Sequence, residues 1–182
     1  MTQLHPLVIH YSTTQSDIGV ILLATLKQQI YSVILDDSEE ACLAALTIQT
    51  SKDFPRAKLQ ATSPHPTLSL ISNFIAAPSH QRYQSLQRID LYSQGTDFQQ
   101  RVWQALSRIP LGQTVSYATL AQQLGCPKAV RAVAQACAAN RHAIIIPCHR
   151  VLRSDGSISG YRWGVARKQQ LLALEATTKE AT

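Results

Sequence analysis

The stretch SYATLAQQLGCPKAVRAVAQACAAN, residues 116–140, decides how the carboxy-terminal half folds. Ser116 suits a helix cap, because its hydroxyl can accept from a free backbone N–H of the first turn, and Tyr117 to Leu124 follows as a short helix. Gly125-Cys126-Pro127 breaks that helix, since Gly enters left-handed backbone freely and Pro cannot continue an α-helix. Lys128 to about Ala139, rich in Ala and Val, predicts a second helix. Two short helices joined by a Gly-containing turn of about three residues suggest a helix-turn-helix. In such a unit the second helix is the usual reader, and Lys128 and Arg131 near its start approach DNA phosphates or bases. An ordinary αα-hairpin packed into a core has the same pattern.

Outward from this pair the periodicity stays helical. Thr96 with Asp97-Phe98-Gln99 makes a capping box, and Phe98, Val102, Trp103, Ala105 and Leu106 share a helical face that ends before Pro110-Leu111-Gly112. Val165 to Leu174 reads as a further helix with Glu175 at its end. The first half reads differently. From Leu7 to Asp36 β-branched and polar residues alternate, as in Leu7-Val8-Ile9-His10-Tyr11 and Ile30-Tyr31-Ser32-Val33-Ile34-Leu35, with turn chemistry at Ser16-Asp17, which predicts two or three strands. Ser38-Glu39-Glu40 opens a helix running through Ala41 to about Ile48, and another spans Pro66 to Ala76. Thr62 to Pro66 and Pro78-Ser79 read as loops, and the boundary falls between Pro78 and Gly95. The expected organisation is a small α/β domain over residues 1–88 and a helical domain over residues 89–182, with no internal repeat.

A chain of 182 residues buries a proper core without disulfide or metal staples. With 45% apolar and 15% charged residues it is neither disordered nor fibrous. The best apolar run, Ile18 to Leu26, stops at Lys27, short of a membrane span, and no charged leader precedes an apolar core. The expectation is a cytoplasmic protein with no membrane partner. Cys42, Cys126, Cys137 and Cys148 form no Cys-x-x-Cys pair, and His5, His10, His65 and His80 lack ligand spacing, so no metal is expected. The net charge of +6 is uneven: residues 1–85 carry 5 Lys+Arg against 6 Asp+Glu, and residues 86–182 carry 12 against 5. A basic second half suits a polyanionic partner, DNA or RNA ahead of a membrane.

Ile144-Ile145-Ile146-Pro147-Cys148-His149-Arg150-Val151 is an apolar run that stops at Pro and then presents three reactive or charged side chains in succession. A thiolate is the competent nucleophile, and nearby positive charge or a base raises its population. Arg150 supplies the charge in this reading and His149 the base. Neighbouring residues of an extended segment point to opposite sides, so His149 reaches the Cys148 sulfur only through a bridging water or a sharp turn. Glu175 is the acid placed by position to orient His149, whereas Asp155, within Ser154-Asp155-Gly156-Ser157, reads as a turn residue. A packed, unreactive thiol is the commonest fate of an intracellular cysteine; that reading competes for Cys148 and is kept for Cys42, Cys126 and Cys137.

Pro147-Cys148-His149-Arg150-Val151, preceded by Asn140 and by the helix pair from Ser116-Tyr117 to Arg131, resembles the O6-alkylguanine-DNA alkyltransferase (methylated-DNA–protein-cysteine methyltransferase) family. The match covers roughly Gly95 to Glu175. Within it, Lys128-Ala129-Val130-Arg131-Ala132-Val133-Ala134, Ala138-Ala139-Asn140 and Ser159-Gly160-Tyr161-Arg162-Trp163-Gly164 look like the adaptive-response (Ada) branch, in its carboxy-terminal methyltransferase half. The resemblance implies an α/β (α+β) fold, with a ribonuclease-H-like first domain ahead of a winged-helix-like DNA-binding domain. It makes Cys148 the alkyl acceptor, His149 a base acting through water, Glu175 the group holding His149, and Asn140 the brace of the active-site loop. Tyr117 would meet the phosphate beside the lesion and the edge of the flipped guanine, and Arg131 would fill the gap left in the base stack. Ala118, Cys126, Lys128, Ala129 and Ser154 take further DNA-contact positions, and Val151, Tyr161 and Arg162 surround the guanine. The implied partner is double-stranded DNA carrying an alkylated base, met by a monomer without a cofactor.

The chemistry agrees with this assignment. A base inside a duplex is out of reach of a side chain and has to be rotated out, at a cost of a few kcal/mol. Attack of a thiolate on the alkyl carbon leaves a thioether, which has no easy hydrolytic exit, so one alkyl group per molecule is expected. Arg162-Trp163 stands where some members have a small pair, which bears on pocket width. The chain has no room for the metal-thiolate and gene-activating portions of the Ada type, so repair is expected without gene activation. Two rivals remain: a lesion-binding module without chemistry, against which the cysteine argues, and a cysteine hydrolase, which needs an oxyanion site.

Overall fold

The computed structural model describes residues 7–178; His5 lies outside them. Its first half is a sheet built around an antiparallel meander of β1 (Val8–Ser16), β2 (Gly19–Leu26) and β3 (Gln29–Asp36). Gly19 closes the first hairpin at φ +112, where a Cβ would lie 2.6 Å from the Asp36 carbonyl oxygen. The second hairpin turns over Lys27 and Gln28, between the paired Leu26 and Gln29. The central strand β2 is a nearly continuous apolar run because both of its faces are covered. A fourth strand, β4 (Lys58–Ala61), joins parallel to β1 after helix α1 (Glu39–Asp53), giving the order β3-β2-β1-β4.

Helix α1 extends beyond the expected end near Ile48 to Asp53. Its last turns carry polar residues whose hydroxyls fold back on the helix, Thr47 to the Leu43 carbonyl and Ser51 to the Thr47 carbonyl, each at 2.8 Å. Helix α2 (Pro66–Ala76) has the expected bounds. Helix α3 (His80–Gln87) was not anticipated: Ser79 caps it, but only Tyr83 and Leu86 are buried, so the segment carries almost no amphipathic signal.

In the second half, α4 (Asp97–Ser107) starts from the expected capping box at Thr96. The helix pair is α5 (Tyr117–Gln123) and α6 (Val130–Ala138), and the turn between them runs over residues 124–129, longer than the three residues expected. Lys128 and Ala129 therefore precede α6. Pro127 is the cause, because its fixed φ favours a reverse turn, closed by the Ala129 N–H on the Cys126 carbonyl at 2.8 Å. Two short strands, β5 (Val115–Ser116) and β6 (Val151–Leu152), pair in parallel, and α7 (Val165–Ala176) lies near the end of the described residues.

The first half grips the second along β3. Val33 donates its N–H to the Arg141 carbonyl and accepts from the Ala143 N–H, while Ile30 donates to Asp90 and accepts from Tyr92. The edge of the sheet is thus satisfied by the chain that leads from Asn140 toward Cys148. The Ser32 hydroxyl adds a 3.1 Å bond to the Arg141 carbonyl, and Asp53 forms an ion pair with the Arg141 side chain. Buried apolar side chains of both halves form one continuous core.

His142 lies in this seam, buried, with Nε2 3.1 Å from the Ile30 carbonyl oxygen. Burial pushes its imidazole down to about 4, against the upward pull of that hydrogen bond. A histidine kept neutral when folded and free to protonate when unfolded removes stability as pH falls from about 6.5 to about 4. The free energy of urea unfolding should fall across this window. In His142→Gln, which keeps a donor but does not titrate, the slope should shrink by up to about 1.4 kcal/mol per pH unit. An unchanged slope would show that His142 does not couple the seam to pH.

Candidate active site

After Pro147 the chain makes one turn of 3-10 helix, Cys148–Arg150, closed by the Arg150 N–H on the Pro147 carbonyl at 3.0 Å. Successive side chains on such a turn diverge by roughly 120°. Cys148, His149 and Arg150 therefore face three directions, and all three are buried.

The sulfur of Cys148 is held by Asn140, whose Nδ2 approaches Sγ at 3.2 Å. The same amide donates to the Ile146 carbonyl at 2.9 Å, and its Oδ1 accepts from the His142 N–H at 2.9 Å. Asn140 is wholly buried and so pins both ends of the loop that carries the cysteine. Ile144, within that loop, sits at φ +69, a conformation costly for a β-branched residue that the surrounding bonds enforce.

Glu175, in the last turn of α7, receives the other two side chains. His149 Nε2 lies 2.8 Å from Oε1, while Arg150 reaches Oε2 through Nε at 2.7 Å and Oε1 through Nη2 at 2.9 Å. Burial alone would raise the Glu175 carboxyl, but His149 and Arg150 outweigh it and hold it down at about 2. Arg150 directs its third nitrogen, Nη1, at the Ile109 carbonyl at 2.7 Å and lies over the Tyr83 ring at 4.1 Å. Its charge is therefore not directed at the thiol, as the sequence suggested; the guanidinium neutralises Glu175 instead. Burial lowers the His149 imidazole below its ordinary range, against the pull of Glu175. A neutral ring donating Nε2–H to the carboxylate leaves Nδ1 as an acceptor, and that buried atom has no hydrogen-bond partner among the described residues.

A buried cationic residue near the sulfur is Lys168 of α7, which sequence reading passed over because a lysine in an amphipathic helix reads as solvent-facing. It is fully buried, with Nζ 2.7 Å from the Val151 carbonyl oxygen and 3.1 Å from Ser159 Oγ. Burial pushes the Cys148 thiol up to about 11, although Asn140 and then Lys168 pull downward. The resting group is a thiol.

Cys148 opens on a cavity of about 490 Å³ that Tyr117, Ala134, Cys137, Ser159, Tyr161 and Arg162 also line. Tyr117 stands at the start of α5, its hydroxyl 2.6 Å from Ser159 Oγ. Tyr161 packs edge-on to both His149 and Trp163. Arg131 is exposed on α6, one turn before Ala134 and on the same face of the helix. The structure thus brings Cys148, His149, Asn140 and Glu175 together, with Tyr117, Tyr161 and Arg162 around the opening. Val151 is not on the cavity wall: it is buried, its carbonyl is taken by Lys168 and its backbone pairs with Val115. Ala118, Cys126, Lys128, Ala129 and Ser154 also lie off the cavity wall, with Lys128 and Ser154 exposed. Asp155 is a turn residue as expected, accepting from the Ser157 N–H at 2.9 Å.

The family model of the 6-O-methylguanine DNA methyltransferase DNA-binding domain matches residues 97–177. The bifunctional transcriptional activator/DNA repair enzyme Ada of Escherichia coli is 44% identical over 174 residues, which is 96% of this chain and 47% of Ada. The methylated-DNA–protein-cysteine methyltransferase of Mycobacterium tuberculosis is 50% identical over 93 residues, 51% of this chain and 56% of that protein. The chain spans about half the length of the curated relatives it matches. Among solved structures, Mycobacterium tuberculosis OGT in complex with DNA superposes with a TM-score of 0.70 at 33% identity, covering 93% of this chain and 94% of that one. The O6-methylguanine-DNA methyltransferase of Pyrococcus kodakaraensis, 21% identical, shares the fold with a TM-score of 0.74 over 92% of this chain and 98% of that one.

The buried Arg150–Glu175 pair has a measurable consequence. Arg150→Met strands a carboxylate in the interior and should cost about 3–5 kcal/mol in urea unfolding. The double variant Arg150→Met/Glu175→Leu should recover most of that loss. A cost below about 1 kcal/mol for the single variant, the size of an exposed pair, would refute this account.

Proposed function

We propose that this chain, which belongs to the O6-methylguanine DNA methyltransferase family, repairs DNA by moving an alkyl group from O6-alkylguanine to Cys148. The observation that carries the reading is the cysteine itself, at the cavity wall, with Asn140 Nδ2 at 3.2 Å from its sulfur and the His149–Glu175 pair on the adjoining residue. Relatives named Ada and methylated-DNA–protein-cysteine methyltransferase, and the DNA complex of Mycobacterium tuberculosis OGT, support the substrate class.

In this proposal α6 lies against the duplex, the damaged nucleotide rotates into the cavity, and Arg131 occupies the space it leaves. Lys128, Ala129, Ala118, Cys126 and Ser154 flank this contact. Tyr117 and the segment of Tyr161 and Arg162 enclose the base. A water between His149 Nδ1 and Cys148 Sγ carries the thiol proton to the imidazole, which becomes cationic beside the ionised Glu175. The Asn140 amide donates to the growing thiolate. Its electron pair forms the sulfur–carbon bond, the carbon–O6 pair stays on guanine, and Tyr117 gives a proton to the departing base. The product is a thioether on Cys148, so each molecule acts once, as a monomer and without a cofactor.

Burial suits this single use. A thiol held near 11 reacts slowly with free electrophiles, and transfer of its proton to His149 raises the thiolate population.

Incubation with a duplex carrying O6-methylguanine should add one methyl mass to the peptide containing Cys148, and Cys148→Ala should abolish the gain. Methylation of another residue, or many turnovers per molecule, would overthrow the mechanism. Arg131→Ala should slow repair of duplex DNA more than reaction with free O6-methylguanine base, because only the duplex leaves a gap to fill. Equal losses on both substrates would remove Arg131 from that role.

A further inference from the structure

Tyr117 and Ser159, both on the cavity wall, belong to a second polar chain. Lys168 Nζ reaches Ser159 Oγ at 3.1 Å, and Ser159 Oγ reaches the Tyr117 hydroxyl at 2.6 Å. The direction of this chain follows from its first member. An ammonium group has donors and no acceptor, so Lys168 must donate to Ser159. With one Ser159 lone pair occupied by that donor, its own hydrogen is free to go to the Tyr117 oxygen. The Tyr117 hydrogen is then left to point into the cavity. Lys168 is itself fixed by the 2.7 Å bond to the Val151 carbonyl, and Tyr117 by its place at the start of α5.

We infer that Ser159 is a positioning residue for the transfer reaction, holding the Tyr117 hydroxyl as a proton donor and coupling it to Lys168. This rests on the alkyl-transfer reading given above. As the carbon–O6 pair stays on guanine, Tyr117 passes its proton to a ring nitrogen of the departing base. Ser159 hands its proton to the tyrosinate and takes one from Lys168, which ends as a neutral amine. Burial lowers the Lys168 ammonium below its ordinary range, which favours that last step. Cys137, Cys148 and Arg153 are the other ionisable groups near Tyr117, and burial raises the Tyr117 hydroxyl above its usual value, so without the coupling the phenol is a reluctant donor.

The test separates leaving-group protonation from thiol reactivity. Single-turnover methylation of Cys148 is followed by peptide mass with two donors, duplex DNA carrying O6-methylguanine and methyl iodide; iodide leaves without needing a proton. Ser159→Ala should slow the reaction with DNA on the order of ten- to a hundredfold, within the usual range for a general acid. It should leave the methyl iodide rate unchanged, and Ser159→Thr, which keeps the hydroxyl, should restore the DNA reaction. An undiminished DNA rate in Ser159→Ala, equal slowing with both donors, or failure of Ser159→Thr to restore it would each overturn the inference while leaving alkyl transfer intact. An unsubstituted chain that takes methyl from methyl iodide but none from DNA would instead overturn the transfer reading, and this inference with it.

Discussion

The carboxylate of Glu175 is the fixed point on which the site depends. It is nearly inaccessible to water, and a bare charge there would be untenable. Arg150 makes it tolerable with two parallel bonds, and that same guanidinium reaches the Ile109 carbonyl and the face of Tyr83. One arginine therefore ties the end of α7 to the segment after α4 and to α3. With the carboxylate neutralised in this way, its remaining interaction orients His149. The imidazole has one nitrogen committed and one available, which is what a base acting through water requires.

Asn140 sets the complementary constraint. Its amide spans the loop from His142 to Cys148, so the sulfur position is fixed by the same group that would stabilise a thiolate. The loop is held from outside as well: β3 bonds Arg141 and Ala143, and Gln87 of α3 donates to the Ile145 carbonyl at 2.9 Å. The amino-terminal half thus has a physical connection to the chemistry, although none of its described residues lines the cavity. It holds the strained backbone around Ile144, which few local interactions would otherwise keep.

Much of this was legible in the sequence, and the gaps have identifiable causes. Ser116, Thr96 and Pro66 announced their helices because caps and Pro at the first turn are local signals. Helix α3 and the end of α1 lacked such an apolar stripe, and β4 is four residues at a sheet edge. Glu175 could be picked by position, since acids near the end of the chain are few. The partner of Arg150 could not: adjacency to Cys148 suggested proximity to the sulfur, whereas a 3-10 turn sends neighbouring side chains apart. Ser159 stood in the sequence only as the first residue of the stretch to Gly164 that resembles the family, with no role of its own, and the burial of Lys168 is set by tertiary packing, which periodicity does not report.

Two polar arrangements, one around His149 and one around Lys168, give the proposed reaction its direction. At rest the sulfur is protonated, Glu175 and Arg150 cancel, and Lys168 is the uncompensated buried charge near the cavity. Transfer moves negative charge from sulfur toward the guanine oxygen and ring. On one side His149 becomes cationic against Glu175 as the thiolate forms; on the other, Lys168 faces the Tyr117–Ser159 chain at which the departing base gathers charge. Each side interacts more strongly with the transition state than with the resting thiol and bound base, which is the condition for an interaction to accelerate a reaction. A low-dielectric setting strengthens both effects and also keeps the thiol protonated beforehand. The burial that makes Cys148 slow to react alone is thus what makes the surrounding charges effective once the alkylated base is in place.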